Sequence, residues 1–156
     1  MIFTMVGTHE QPFDRLVREV DRLRTDEQRV IQYGYSTYTP AYSDGSDFLS
    51  FDEVKGYIQD ADVVITHSGT GSVMLALSLG KMPIVAPRYR KYGEHIDDHQ
   101  LQLVKELVEE GMVVPYYDGD DLGERIAEVL VKMQAVRGIE PAPELVAELD
   151  RIIRLD

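Results

Sequence analysis

The feature that most constrains this chain is a repeated phrase. A short run of β-branched and apolar residues ends in glycine or small polar residues, and apolar residues at helical spacing follow. Ile2-Phe3-Thr4-Met5-Val6 stops at Gly7; Phe13, Leu16, Val17, Val20 and Leu23 then recur on one helix face, with Pro12 suited to the first turn. Asp62-Val63-Val64-Ile65-Thr66 runs into His67-Ser68-Gly69-Thr70-Gly71-Ser72, and a helix over 73–79 closes at Gly80. Pro83-Ile84-Val85-Ala86 repeats the strand, Pro87 ends it, and Leu101, Val104, Leu107 and Val108 mark the next helix, ended by Gly111. Between these units the pattern predicts a strand over 30–33, a Tyr-, Ser-, Thr- and Gly-rich loop over 34–47, and a short helix over 52–60 capped by Ser50 or Asp52. A last strand over 112–115 precedes a helix marked by Leu122, Ile126, Val129, Leu130 and Met133.

Strands with continuous apolar runs, alternating with helices, imply a parallel sheet covered on both faces. The expected fold is an α/β, Rossmann-like doubly wound domain over 1–137. A short linker at 138–143 then leads to a C-terminal amphipathic helix carrying Leu145, Val146, Leu149, Ile152 and Ile153. At 156 residues this is one domain, large enough to fold on its own core.

Composition excludes several classes. The formal net charge is −12, which argues against a nucleic-acid binder. There are no cysteines, so disulfides, thiolate metal sites and cysteine nucleophiles are ruled out. No apolar stretch reaches the ~18 residues a membrane helix needs, and the N-terminus lacks the basic start of a signal peptide. The expected compartment is the cytoplasm.

In such a fold ligands sit at the carboxyl ends of the strands. Three segments fall there: Gly7-Thr8-His9-Glu10, His67 to Ser72, and Arg88 to Gln100. Small residues between a strand and a helix let backbone N–H groups and the positive helix end approach a phosphate, while His67, Ser68, Thr70 and Ser72 add donors. The plain alternative for the second segment is a Gly/Ser turn with Ser72 as the helix cap. It is neither a P-loop nor the GxGxxG dinucleotide fingerprint. In the third segment Arg88, Arg90 and Lys91 make a basic knot in an acidic chain. His95 and His99 lack compact metal-ligand spacing, and no metal is expected.

With these residues in place, the chain resembles the carboxyl-terminal, donor-binding half of family 28 glycosyltransferases. The likeness is strongest to short catalytic subunits that work beside a second chain. These belong to two-part bacterial capsule and exopolysaccharide transferases and to the dolichol-diphosphate N-acetylglucosaminyltransferase. It is carried by Val6 to Phe13, Ala61-Asp62 through Ser72, Gly80-Lys81 with Pro83 to Pro87, and Glu94-His95 with Asp98-His99-Gln100.

The resemblance implies the donor lobe of a two-lobed enzyme, with a UDP-sugar as donor substrate and no further cofactor. Gly7, Thr8 and His9 would lie against the diphosphate, and His67, Ser68, Gly69, Thr70, Gly71 and Ser72 would form the main phosphate loop. Ser50 and Phe51 would meet the uracil through backbone groups, and Glu94, Asp98 and Gln100 would reach the sugar, with Arg88 helping to stabilise the leaving UDP. His9 and Glu94 are the candidate catalytic residues. The family carries a ribose-holding acid in the helix after the phosphate loop; here that position is Leu75. The implied reaction is inverting transfer to a lipid-linked saccharide, in polysaccharide biosynthesis at the inner face of the membrane. The acceptor site would belong to a membrane-anchored partner. A regulatory nucleotide-sugar-binding module without turnover is the alternative.

Overall fold

The computed structural model describes residues 1–95 and 99–137. Six strands form one parallel sheet: β1 (Ile2–Met5), β2 (Arg29–Gln32), β3 (Asp44–Ser46), β4 (Val63–His67), β5 (Ile84–Ala86) and β6 (Val114–Pro115). Five helices connect or follow them: α1 (Asp14–Asp21), α2 (Phe51–Asp60), α3 (Thr70–Ser78), α4 (His99–Glu109) and α5 (Leu122–Arg137). The strand order is β3-β2-β1-β4-β5-β6, so the chain reverses direction across the sheet between β1 and β4. The register there pairs Ile2 with Val63 and Met5 with Thr66.

Alternation along the strands divides the core. Ile2, Ile31, Ile65 and Ile84 pack with Phe13, Leu16, Val17 and Val20 of α1 and with Leu122 and Val129 of α5. Phe3, Met5, Val30 and Val64 face the other way, onto Ile58 of α2 and Ala76 of α3. Val85 and Val113 join α3 and α4 on that side. The helices after β1 and β4 thus lie on opposite faces, and this opens a crevice at the reversal.

The doubly wound parallel sheet is as expected, and Ser50 is the α2 cap: it accepts from Glu53 N while Glu53 answers the Ser50 N–H, a capping box. Three details differ. The segment 34–47 contains an edge strand, β3, whose Asp-Gly-Ser sequence carries no β signal; it exists because β2 pairs with it. Helix α3 starts at Thr70, capped by Gly69, so Ser72 lies inside the first turn and is not the cap. Arg90–Tyr92 form a single 3₁₀ turn inside the expected polar loop. The linker and C-terminal helix expected over 138–156 lie outside the described residues.

Two carboxylates of α1 fasten the long β2–α2 connection. Asp21 accepts from Tyr38 Oη (2.8 Å), Ala41 N (2.9 Å), Tyr42 N (2.9 Å) and Ser43 Oγ (2.8 Å). Asp14 accepts from Thr37 N at 2.6 Å and Tyr38 N at 3.0 Å. These donors hold both carboxyls below the usual Asp range against the opposing effect of burial.

Candidate donor site at the strand reversal

The crevice between β1 and β4 is a cleft of ≈ 360 Å³, within the range of small-ligand sites. Gly7 and Thr8 line it from the β1 turn, and Gly71, Ser72 and Leu75 from α3. Phe48, Leu49, Phe51 and Val54 add an apolar wall. One end is therefore polar and faces a helix N-terminus, and the other is greasy.

The two glycine turns do face each other, but across a side chain. His67, at the end of β4, is 7% exposed, and its ring fills the space between Gly7 and Gly69. A Cβ on Gly7 would sit 2.4 Å from His67 Nε2, and one on Gly69 would sit 2.3 Å from Cε1. Gly7 also has a φ of +77°, which only glycine adopts easily. Gly71 is different: a Cβ there would meet nothing within 4 Å, so its bare backbone leaves the cleft open.

His67 Nε2 lies 3.1 Å from Ser72 Oγ, and Nδ1 has no partner among the described residues. Burial first, then the nearby Arg88, pushes the imidazole down to about 3, so it is neutral at physiological pH. The unfolded chain binds a proton on His67 below the ordinary histidine value near 6.5, and the folded chain does not until about 3. Stability is full above that ordinary value and falls with pH at up to ~1.4 kcal/mol per unit. Thermal melts from pH 7 to 4.5 are expected to show this decline, and His67→Asn to flatten it; an unchanged slope in the variant would refute the assignment.

His9 is half-buried, and its ring lies tilted against that of His95, centroids 5.0 Å apart. Its Nδ1 accepts from Gln11 N at 3.3 Å, which assigns the proton to Nε2. Burial, then Arg88 and His95, lower its pKa. A neutral ring with its lone pair engaged is a hydrogen-bond donor, so this geometry suits His9 to binding an anion rather than to acting as a base.

Sequence reasoning missed Gln32. This buried residue ends β2 and clamps the first turn. Its Oε1 accepts from Val6 N and Gly7 N, each at 3.0 Å, and its Nε2 donates to Gly7 O (3.0 Å) and Asp47 O (2.8 Å). The available signal was a polar residue closing an otherwise apolar strand. The apolar wall around Phe48 and Leu49 was missed too, because it comes from a loop without periodicity.

In the third segment the described side chains take different places. Glu94 is 4% exposed, and its carboxylate accepts from Arg15 Nε and Nη2, both at 3.1 Å, and from Tyr89 N at 3.0 Å. These bonds make Glu94 an internal counter-ion to Arg15. The basic knot separates: Arg88 is buried, whereas Lys91 is exposed and pairs with Asp118 at 2.8 Å. Asp98 lies outside the described residues, as does the side chain of Gln100. Ser50 and Phe51 are exposed at the start of α2, with Phe51 on the cleft wall. Thr8 and Thr70 are exposed at the polar end and Ser68 is buried. Among the described residues no group of three or more His, Asp or Glu is placed to hold a metal ion, and no helix is long and apolar enough to cross a membrane.

Comparison with known proteins agrees with this architecture. Two curated relatives are UDP-N-acetylglucosamine transferase subunit ALG13 of Yarrowia lipolytica and of Homo sapiens. The first is 31% identical over 129 residues, 78% of this chain and 61% of that protein. The second is 36% identical over 123 residues, 70% of this chain and 10% of that protein. The chain thus spans less than two thirds of either relative.

Among solved structures, the glycotransferase of kitacinnamycin superposes with a TM-score of 0.58 at 17% identity, over 99% of this chain and 38% of that one. Acinetobacter baumannii MurG superposes with a TM-score of 0.51 at 15% identity, over 97% and 44%. At these identities the likeness establishes the Rossmann-like fold alone. The family model described as "Glycosyltransferase family 28 C-terminal domain" matches residues 1–143, and the chain belongs to that family.

Proposed function

We propose that this chain is the donor-binding, catalytic subunit of an inverting UDP-sugar glycosyltransferase. The single observation that carries the reading is the cleft at the strand reversal. One end holds the β1 turn at Gly7 and Thr8, the α3 N-terminus and Ser72, which suit a diphosphate; the other is an apolar wall that suits a flat base. The leaving diphosphate needs charge stabilisation, and helix dipoles, N–H groups and fixed donors supply it without reorganising. The acceptor hydroxyl needs a base. At the polar end the His9 lone pair is engaged by Gln11 N, and His67 Nδ1 is buried. We therefore assign the base and acceptor site to a second, membrane-anchored chain that binds a lipid-linked saccharide. Its place would be the inner face of the membrane, in capsule or exopolysaccharide synthesis. The ALG13 relatives, named as subunits of a transferase, support such a two-part arrangement.

Titration calorimetry tests this. UDP is expected to bind in EDTA and NAD is not; binding of NAD alone would overturn the reading, and UDP binding lost with EDTA would overturn its metal-free form. Transfer is expected only when the partner chain is added, and full transfer by this chain alone would refute the two-part mechanism.

One observation favours the second reading, a nucleotide-sugar sensor without turnover. Leu75 lines the cleft where a ribose-holding acid would stand. A hydrogen bond to a charged group contributes ~1.5–3 kcal/mol, so Leu75→Glu is expected to tighten UDP binding roughly tenfold or more. Unchanged affinity would mean that another group holds the ribose.

A further inference from the structure

Arg88 follows β5 and is 1% exposed, the largest fully buried side chain described. Among the described residues its guanidinium donates only to backbone carbonyls: Nη2 to Val6 O at 2.7 Å, and Nη1 to Gln11 O at 2.8 Å and Glu94 O at 3.1 Å. The Phe13 ring lies 4.7 Å from it, and Nε has no partner among the described residues. The acid that acts on it electrostatically is Glu94. That carboxylate is already held by Arg15 through two nitrogens. Arg15 also has Glu19 and Asp118 acting on it. Among the described residues Arg88 therefore has no carboxylate bonded to it, because Glu94 is engaged by Arg15.

A buried charge without its own counter-ion is costly. Holding three carbonyls does not require it, because a neutral amide donor makes the same kind of bond. The position of the charge suggests its use. Val6 O, which Arg88 holds, immediately precedes Gly7, whose backbone lines the cleft. The field reaches the polar end: Arg88 contributes to keeping both His9 and His67 neutral. Glu10, exposed beside His9, opposes it from the surface. An anion in the cleft would supply the missing negative charge.

We infer that Arg88 is a charge-specificity residue. From beneath the β1 turn, without touching the ligand, its fixed positive charge selects a diphosphate over an uncharged nucleoside in the same cleft. The inference rests on the donor-site reading above. It also explains how a very acidic chain holds a highly anionic ligand, since a buried charge is screened far less than the surface carboxylates.

The test compares UDP and uridine binding by calorimetry in wild type, Arg88→Gln and Arg88→Lys, with thermal melts to confirm folding. Both variants lose bonds to the carbonyls, but only lysine keeps the charge. Arg88→Gln is expected to weaken UDP about tenfold to a hundredfold while uridine changes by less than about threefold, and Arg88→Lys to retain most UDP affinity. If UDP and uridine weaken together, or if both variants fall equally, Arg88 is merely structural and the inference is overturned. If wild type binds neither ligand, the donor-site reading fails instead. The same variants are then compared on inorganic pyrophosphate, where equal binding, or none by wild type, overturns the charge role as well.

Discussion

Gly69→Ala is expected to destabilise the protein by about 1–3 kcal/mol, a melting shift of roughly 2–12 °C, and to weaken UDP binding at least tenfold. The backbone at Gly69 is ordinary, with a φ of −67° and a ψ of 129°, so any residue could adopt it. What forbids a side chain is the His67 ring. The new Cβ would lie 2.3 Å from Cε1, 2.8 Å from Nε2 and 3.1 Å from Nδ1. The ring cannot step aside, because Gly7 faces the same imidazole at 2.4 Å for its own missing Cβ. Moving the ring breaks its contact with Ser72 and shifts the first turn of α3. The decisive control is the same substitution in a His67→Ala background, where it should cost little. An equal loss in both backgrounds would show that the ring is not the reason.

Gly71→Leu separates binding from folding. A Cβ at this position meets nothing within 4 Å, and the residue is exposed on the second position of α3. Leucine is a better helix former than glycine by about 1 kcal/mol, so the melting temperature should hold or rise. Its side chain would nevertheless enter the cleft between Thr8 and Leu75. UDP affinity is expected to fall by about a hundredfold or more, because backbone approach to the diphosphate is blocked. A folded Gly71→Leu protein that binds UDP like wild type would show that the donor lies elsewhere. The two glycines, two residues apart, thus have opposite signatures: one loses stability and affinity together, the other affinity alone.

Local pattern was enough to read most of the scaffold. β-branched runs such as Val63-Val64-Ile65 bury both faces of a strand, and the 3.6-residue spacing of Leu16, Val17 and Val20 leaves one face for the core; both periods are properties of a few consecutive residues. The capping box at Ser50 and Glu53 is equally local. Edge strand β3 was not legible, since Asp44-Gly45-Ser46 becomes a strand only when β2 offers its edge and Asp21 fastens the loop before it.

The site divides along the same line. Sequence by itself located the glycine turns and the His67–Ser72 segment at strand ends, because turn chemistry and strand ends are written in adjacent residues. Tertiary structure alone decided what each group does there. It placed the His67 ring between Gly7 and Gly69, enlisted Gln32 as the clamp of the β1 turn, and closed Glu94 into an ion pair with Arg15. It also buried Arg88 beneath the carbonyl of Val6, 82 positions away in the chain. Burial and hydrogen-bond partners are set by residues far apart in sequence, so whether a charged side chain faces a ligand or holds the backbone is fixed only when the sheet has assembled.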